Sequence, residues 1–373
     1  RLADGWFHPM PYHVPRGAGE PVLGADLGHG AVVPDPSRLV VFDNFALHAE
    51  KGLALERASR KLLPGLDGRS VVVLEAGPPS HLLWLDLATG EVTARLALPY
   101  PAAPASPWYA QPVWEADGGG TEAWISEYPV GPTGDCSLRR VDLAGRKVLE
   151  SVAVGNDLSV YVREIVRTHD RLLVTTRGSG ACEVPSGHTV NAIDLSASPL
   201  RVAVSDLGCS SAGLAAALPQ AGLLALATGS NFGPASMSLG LASTARPLAY
   251  RWLPEPPSNV FGSDVEYTAV VEDPDGFWAL HPCCDWDGGG GALLHFSLAH
   301  WTWRELGSFG YGGPHALAVA RDGLVDEVYL AFDGVPCGDC PTPTIDVLDV
   351  ATASFTSLPG GWSPLALKAL TVP

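Results

Sequence analysis

Residues 82–98, LLWLDLATGEVTARLAL, contain an apolar run, an Asp-Leu-Ala phrase, a turn and a second strand-like run. The same order returns in LRRVDLAGRKVLESVAV at 138–154, VNAIDLSASPLRVAV at 190–204 and IDVLDVATASFTSL at 345–358. Weaker copies are SMSLGLASTARPLAY at 236–250 and LLHFSLAHWTWREL at 293–306. The anchor positions 86, 142, 194, 240, 297 and 349 are separated by 46 to 57 residues, which indicates a structural repeat.

A second β-rich run precedes each of these copies. Six such runs begin at Ser70, Thr121, Arg171, Gly222, Gly276 and Glu327, and a seventh, RLVVFDN, begins at Arg38. Several follow an apolar run with an Asp-Gly or Pro-Asp turn, as in AVVEDPDG at 269–276. Each unit is therefore predicted to contain four short strands, with this β-rich run as the second.

Seven such units predict an all-β fold, a seven-bladed β-propeller of four-stranded antiparallel blades. Each sheet is apolar on both faces, and radial packing of the sheets would bury both. The first unit is short, and LALKALTV at 365–372 is a strand that can complete it. We therefore expect the N- and C-terminal segments to pair and close the ring. The predicted domains are an N-terminal arm at 1–20 and a single propeller at 21–373.

The repeat resembles the bacterial YVTN and NHL-type propellers, a WD40-like superfamily. AVVPDPSRLVVFDN at 31–44 is similar to that family's signature, in which an apolar strand, a Pro-Asp turn and a strand ending in Asn follow one another. GGPHALAVARDG at 312–323 is similar to the family's first strand. The resemblance implies the fold but no single function, because this scaffold hosts binders, scaffolds, lyases and lactonases.

Charge and apolar runs restrict the partners of this chain. It carries 23 Lys+Arg against 40 Asp+Glu, a net charge of −17, which disfavours binding to nucleic acid. No apolar run reaches the roughly 18–20 residues that cross a bilayer, so no transmembrane segment is predicted. Seven cysteines are many for a reduced cytosolic domain, and the sequence starts at Arg1 without Met. We expect an exported protein, whether periplasmic, cell-surface or extracellular.

Most cysteines fall in predicted loops between second and third strands, for example in HPCCDWDGGGG at 281–291. These loops, and the loop between units that contains Cys209, should lie on one face of the disc. Disulfides are favoured over a zinc site, since adjacent cysteines rarely bind one ion together. The expected pairs are Cys182 with Cys209 and Cys337 with Cys340; Cys283 and Cys284 bond each other or a neighbouring loop, and Cys136 is left over.

Aligning the predicted first strands on their turns places five side chains near the mouth of the central channel: His29, Tyr109, Arg163, Glu266 and His315. A ring of this composition can bind a polar ligand or a divalent metal, and a His–Glu pair can transfer protons. The alternative is a water-filled channel whose polar residues bond one another.

Two other groups of residues suggest ligands. Trp108, Trp286, Asp285 and Asp287 are predicted on the cysteine-rich face, where they could contact a protein or a glycan. The two aspartates could bind calcium, although an Asp-Gly turn explains them more simply. His8, Met10 and His13 suit copper, unless the N-terminal arm only packs its aromatic residues against the disc. No cofactor beyond calcium or copper is indicated.

The function that these features favour is an exported, disulfide-stabilised module that binds or scaffolds a protein or glycan partner through its cysteine-rich loop face. An enzyme is the less favoured interpretation, because no GxSxG, HExxH or phosphate-binding motif is present. The first alternative is a metal-assisted lyase or lactonase-type enzyme at the channel mouth. The second is a copper-binding protein that uses the N-terminal His-Met-His arm.

Overall fold

The computed structural model describes 20 segments of the chain. They are residues 22–26, 37–43, 46–53, 58–64, 70–75, 81–86, 91–98, 114–116, 121–127, 136–157, 159–178, 188–207, 210–230, 238–254, 269–281, 291–309, 314–321, 326–332, 344–358 and 364–369. Within these segments the regular structure is β-strand. None of these segments contains a helix with the length and apolarity that a bilayer span requires.

The strands are numbered in chain order. The first fourteen are β1 (Val22–Asp26), β2 (Ser37–Asp43), β3 (Ala46–Leu53), β4 (Ala58–Pro64), β5 (Ser70–Glu75), β6 (His81–Asp86), β7 (Val92–Ala97), β8 (Trp114–Ala116), β9 (Glu122–Glu127), β10 (Ser137–Asp142), β11 (Lys147–Ala153), β12 (Ser159–Arg167), β13 (Arg171–Gly178) and β14 (Thr189–Asp194). The others are β15 (Arg201–Asp206), β16 (Ser210–Leu218), β17 (Leu223–Ser230), β18 (Ser238–Ser243), β19 (Arg251–Trp252), β20 (Ala269–Asp273), β21 (Gly276–His281), β22 (Gly291–Ser297), β23 (Thr302–Phe309), β24 (Pro314–Arg321), β25 (Asp326–Phe332), β26 (Thr344–Asp349), β27 (Ser354–Leu358) and β28 (Pro364–Ala369).

One compact unit, Arg1–Ala102 with Tyr311–Pro373, contains three four-stranded antiparallel sheets. Their strand orders are β28-β1-β2-β3, β4-β5-β6-β7 and β24-β25-β26-β27. The last strand of the chain, β28, pairs with β1, so the two ends of the described chain share a sheet. The first strands of these sheets are neighbours, since β28 lies beside both β24 and β4.

The second compact unit, Ala103–Gly310, contains four antiparallel sheets in simple chain order. They are β8-β9-β10-β11, β12-β13-β14-β15, β16-β17-β18-β19 and β20-β21-β22-β23. First strands are again neighbours within the unit: β12 lies beside β8 and β16, and β16 lies beside β20. Sheets that meet through their first strands and spread outward are typical of propeller blades.

The core of the second unit forms between the faces of successive sheets. Val174 of β13 belongs to a buried cluster with Trp124 of β9, whereas Leu173 belongs to another with Leu224 and Leu226 of β17. Adjacent residues of one strand point to opposite faces, so the β12–β15 sheet is covered on both sides. This explains the continuous apolar runs in the second strands, where simple alternation would be expected of a half-exposed sheet.

The repeated Asp of the sequence closes the turn between third and fourth strands. The Asp142 carboxylate accepts the Gly145 N–H at 2.7 Å, and Asp349 accepts the Ala351 N–H at 3.0 Å. Asp side chains favour such turns because they bond backbone N–H groups two or three residues ahead. In the β16–β19 sheet the residue at this place is Ser243, whose hydroxyl accepts the Ala245 N–H at 3.2 Å. Gly240 was therefore the wrong anchor for that unit.

The seven β-rich runs were predicted as second strands, and six of them occupy that place as β5, β9, β13, β17, β21 and β25. The prediction for RLVVFDN is wrong, because its strand β2 is third in the sheet, β1 is second and β28 is first. The C-terminal strand β28 completes the first sheet as expected. The predicted arm at 1–20 lies outside the described residues.

Candidate functional site

Irregular first strands mark the candidate site. In β12, Val162 pairs with Thr176 and Glu164 pairs with Thr175, so Arg163 is the extra residue of a β-bulge. In β24 the register also shifts around His315, which lies between the pairs Pro314–Phe332 and Ala316–Ala331. Bulges turn a side chain away from the regular alternation and are frequent next to active sites.

Two charged residues meet at the β12 bulge. Arg163 and Glu164 are both half-buried, whereas Val162 before them and Ile165 after them are buried. The Glu164 carboxylate accepts the Ile165 N–H at 3.4 Å. Half-buried charges in the middle of a strand keep some access to solvent while their surroundings strengthen electrostatic interactions. The arrangement offers one cation for a developing negative charge and one carboxylate for proton transfer.

Thr175 lies directly across the ladder from Glu164. It is completely buried, and within the described part of the chain its hydroxyl oxygen has no hydrogen-bond partner. Thr175 is two residues from Leu173 and Glu164 is two from Val166, so both lie on the face of the sheet that packs against β17.

Behind the bulge, on the opposite face, lies a buried network of hydroxyl and amide groups. The Thr176 hydroxyl is 3.1 Å from Ser159 Oγ and 2.7 Å from Thr189 Oγ1. Asn191 Nδ2 donates to Thr189 Oγ1 at 2.8 Å and to the Val174 carbonyl at 3.2 Å. These side chains are at most 2% exposed. The network links the first three strands of the sheet.

The same network holds the connection that leads into β12. Gly155 adopts φ +83°, and its N–H donates to Asn191 Oδ1 at 2.8 Å. A side chain at Gly155 would place its Cβ 2.4 Å from Ser159 Oγ, so glycine is required both by the backbone angle and by the close approach. The Asn156 N–H donates to Ser159 Oγ at 3.1 Å.

A second buried polar pair lies in the β20–β23 sheet. Asp273 Oδ2 is 2.6 Å from His295 Nε2, and the Asp275 N–H donates to Asp273 Oδ1 at 2.8 Å. Burial alone would raise the pKa of Asp273, but the hydrogen bond and charge of His295 and the backbone donors lower it below its ordinary value. The His295 ring packs on Trp278, with centroids 4.7 Å apart. This pair fixes the β20–β21 turn to β22.

Most of the predicted site residues lie outside the described residues. These are the channel-mouth residues His29, Tyr109 and Glu266, the loop-face residues Trp108, Asp285, Trp286 and Asp287, the arm residues His8, Met10 and His13, and the cysteines Cys182, Cys209, Cys283, Cys284, Cys337 and Cys340. Arg163 and His315 are placed on first strands, and Cys136 is buried in the cluster around Trp124. Among the side chains that the structure describes, no group of three His, Cys, Asp or Glu could hold a metal ion.

Several polar residues were missed by the sequence analysis. Thr175, Thr176 and Asn191 interrupt the apolar runs RLLVTTRG and VNAID, and this interruption was the available signal. The Asp273–His295 pair left no such signal, because Asp273 belongs to an ordinary Pro-Asp turn motif.

Comparison with known proteins places the fold. No protein family and no curated protein matches the sequence. The periplasmic gluconolactonase of Pseudomonas aeruginosa is 14% identical, and the match covers 95% of this chain and 100% of that chain with a TM-score of 0.63. A candidate 6-phosphogluconolactonase from Bacteroides fragilis NCTC 9343 is 13% identical, with 97% and 100% covered and a TM-score of 0.64. The Cps50 (Swd1) β-propeller domain of Myceliophteria thermophila is 10% identical, with 84% and 92% covered and a TM-score of 0.54.

The chain has a β-propeller-like all-β fold. Two expectations about this β-propeller-like protein need correction. A disulfide-stabilised binding module was the favoured function, but the likeness extends over the whole length of gluconolactonases and supports the lactonase alternative better. The interpretation that an enzyme is less favoured needs the same correction, because two proteins of similar fold are described as gluconolactonases.

Proposed function

We propose that the chain is a lactonase-type hydrolase built on a seven-bladed YVTN/NHL-type propeller whose ring is closed by the pairing of β28 with β1. Seven four-stranded sheets, with neighbouring first strands inside each unit, support this architecture. The observation that supports this activity is the structural similarity to the periplasmic gluconolactonase, which covers 95% of this chain and 100% of that chain.

The active site in this proposal is the bulge in β12. Water adds to the carbonyl carbon of the lactone, and Glu164 accepts a proton from that water. The Arg163 guanidinium stabilises the negative charge that develops on the carbonyl oxygen. The ring C–O bond then breaks, and Glu164 returns the proton to the ring oxygen, which leaves as a hydroxyl. The product is an open hydroxy acid, which releases a proton to solvent at neutral pH.

The charge of the chain favours an uncharged sugar lactone over a phosphorylated one. At a net charge of −17, long-range repulsion slows the approach of an anionic substrate. Gluconolactone is the simplest uncharged probe, and 6-phosphogluconolactone is its charged counterpart.

Initial rates with these two lactones test the proposal. Acid release is followed in a pH-stat, and the spontaneous hydrolysis of each lactone is subtracted. We expect hydrolysis of gluconolactone by the wild type and a fall in kcat/KM on the order of 10²–10³ for Arg163→Ala. The matched control is Arg201→Ala, which removes an exposed arginine from the outermost strand of the same sheet and should leave the rate unchanged. Rates equal to the blank with both lactones would refute the activity.

Export and disulfides are part of the proposal and have separate tests. The periplasmic origin of one structural neighbour and the seven cysteines support export. Cell fractionation of the native source should place the protein outside the cytoplasm. Non-reducing peptide mapping should find the Cys182–Cys209 and Cys337–Cys340 bonds, whereas seven alkylatable thiols in untreated protein would rule them out.

A further inference from the structure

The buried network lies directly behind the bulge that carries Arg163. Thr176 pairs with Val162, the residue before Arg163, and Thr175 pairs with Glu164, the residue after it. The bulged residue therefore sits opposite the Thr175–Thr176 peptide. Whatever fixes Thr176 also fixes the strand against which the bulge forms.

Thr176 is held from both neighbouring strands. Its hydroxyl oxygen is 3.1 Å from Ser159 Oγ on β12 and 2.7 Å from Thr189 Oγ1 on β14. The Thr189 N–H also donates to Thr176 Oγ1, at 3.3 Å. Thr176 and Thr189 are 0% exposed, so surrounding water offers little competition for these bonds.

Asn191 extends the constraint to the chain that enters β12. Its Oδ1 accepts the Gly155 N–H at 2.8 Å, while its Nδ2 donates to Thr189 Oγ1 and to the Val174 carbonyl. The start of β12 is therefore fixed from the connection before it and from the strand beside it. The hydrogen bond at Gly155 lies eight residues before Arg163, and the one at Ser159 lies four residues before it.

Stability alone does not require polar residues at these positions. In the β20–β23 sheet, the pair Leu280–Leu293 links the second and third strands, and both side chains are 0% exposed. Buried polar groups stabilise a fold no better than well-packed apolar residues of similar size. What they add is a preference for one arrangement, because any other arrangement leaves their donors and acceptors unpaired.

We propose that Thr176 is a positioning residue, which holds the β12 bulge in the one geometry that aims Arg163 at the substrate carbonyl. Ser159, Thr189 and Asn191 act through Thr176 in this role. This inference rests on the proposed lactonase function, because its kinetic consequence requires that Arg163 act on the substrate.

Removal of one hydroxyl tests the role. Thr176→Val keeps the shape of the side chain and removes its hydrogen bonds, and we expect kcat to fall at least about tenfold while KM changes little. Thr176→Ser restores the hydroxyl and should return most of the lost kcat. Thr168→Val is the matched control, because it removes a hydroxyl hydrogen bond from the turn between β12 and β13, at the other end of the same two strands. Its kcat should equal that of the wild type.

Hydrogen exchange provides a readout that does not depend on activity. Thr176→Val should speed amide exchange across residues 159–164 by at least about tenfold, while residues 269–273 of β20 exchange at the wild-type rate. Thr176→Ser should restore slow exchange. If Thr176→Val does not fold, Ser159→Ala takes its place, with the same expectations.

The two readouts separate failure of this inference from failure of the lactonase proposal. A wild type that hydrolyses no lactone refutes the proposed activity, and the exchange result still decides whether Thr176 holds the bulge. Unchanged exchange at 159–164 in Thr176→Val would overturn the positioning role. So would an unchanged kcat in an active enzyme, even if its melting temperature falls.

Discussion

The substitution Asp273→Asn isolates the charge of the buried pair in the β20–β23 sheet. The Asp273 side chain is 5% exposed and that of His295 is 17% exposed, and their closest atoms are 2.6 Å apart. Asparagine keeps the shape and one acceptor oxygen but removes the negative charge. Hydrogen bonds to charged groups contribute about 1.5–3 kcal/mol, and removing one partner of a buried pair costs about 3–5 kcal/mol. Since an acceptor remains, we expect a loss of about 2–3 kcal/mol in the free energy of unfolding near pH 6.

The pH dependence of this loss has a defined sign. The pKa of Asp273 is lower in the folded protein than in the unfolded chain. The ionised carboxylate therefore stabilises the fold fully above the unfolded pKa of about 3.9, and this stabilisation disappears as the pH falls through the lower folded pKa. The difference between wild type and Asp273→Asn should stay constant down to about pH 4 and shrink below it.

Urea unfolding, followed by tryptophan fluorescence, measures this difference at pH 6 and at pH 3. Trp278 packs on His295 and so reports on the same region. The double variant with His295→Gln completes a thermodynamic cycle, which should give a coupling energy of about 1–3 kcal/mol. If the two proteins differ in free energy of unfolding by less than about 0.5 kcal/mol at pH 6, or if the difference grows toward pH 3, the Asp273 charge does not stabilise the fold in this way.

Four further substitutions test the stability contributed by single positions. Thr175→Val should lower the free energy of unfolding by less than about 0.5 kcal/mol, or raise it, because the buried hydroxyl has no partner in the described structure. A loss above about 1 kcal/mol in a thermal or urea titration would contradict this expectation. Gly276→Ala should lower the free energy of unfolding by about 3 kcal/mol or more, because the new Cβ would lie 1.9 Å from the Phe296 carbonyl oxygen. Gly222→Ala should lower it by only about 1–2 kcal/mol, because Gly222 has φ +64° but no atom lies within 4 Å of the new Cβ. Equal losses in the two variants would exclude the clash as the cause. Glu272→Gln should lower the free energy of unfolding by no more than about 1 kcal/mol, because the two hydrogen bonds that its carboxylate accepts from backbone N–H groups of the turn after β16 are exposed. A larger loss in the same titration would show that the contact between the two sheets depends on this charge.

The repeat could be predicted from the sequence because it depends on local chemistry. An Asp that accepts backbone N–H groups ahead of it leaves the same signature in several copies, and Asp142, Asp194 and Asp349 all show it. The repeat was misaligned at Gly240, because in that sheet the hydroxyl of Ser243, and not an Asp carboxylate, accepts the backbone N–H of the turn. The order of strands in the first sheet was also missed, since β28 is about 340 residues from β1 and only tertiary pairing brings them together.

The candidate site was predicted less well for a physical reason. Alignment on turns placed Arg163 on a first strand, where it lies in β12, but it could not show the bulge, which is a mismatch of register between two strands. The network of Ser159, Thr176 and Asn191 joins residues from three strands and their connection. Each looks like an ordinary polar interruption in the sequence, and only their mutual distances reveal a single buried system.

Whether the lactone reacts at the β12 bulge is decided by the ratio of kcat/KM for gluconolactone between wild type and Arg163→Ala, determined on protein whose folding is verified by circular dichroism. We expect a ratio on the order of 10²–10³, with Arg201→Ala indistinguishable from wild type. A ratio near one in an active, folded protein would show that the β12 bulge is not the place where the lactone reacts.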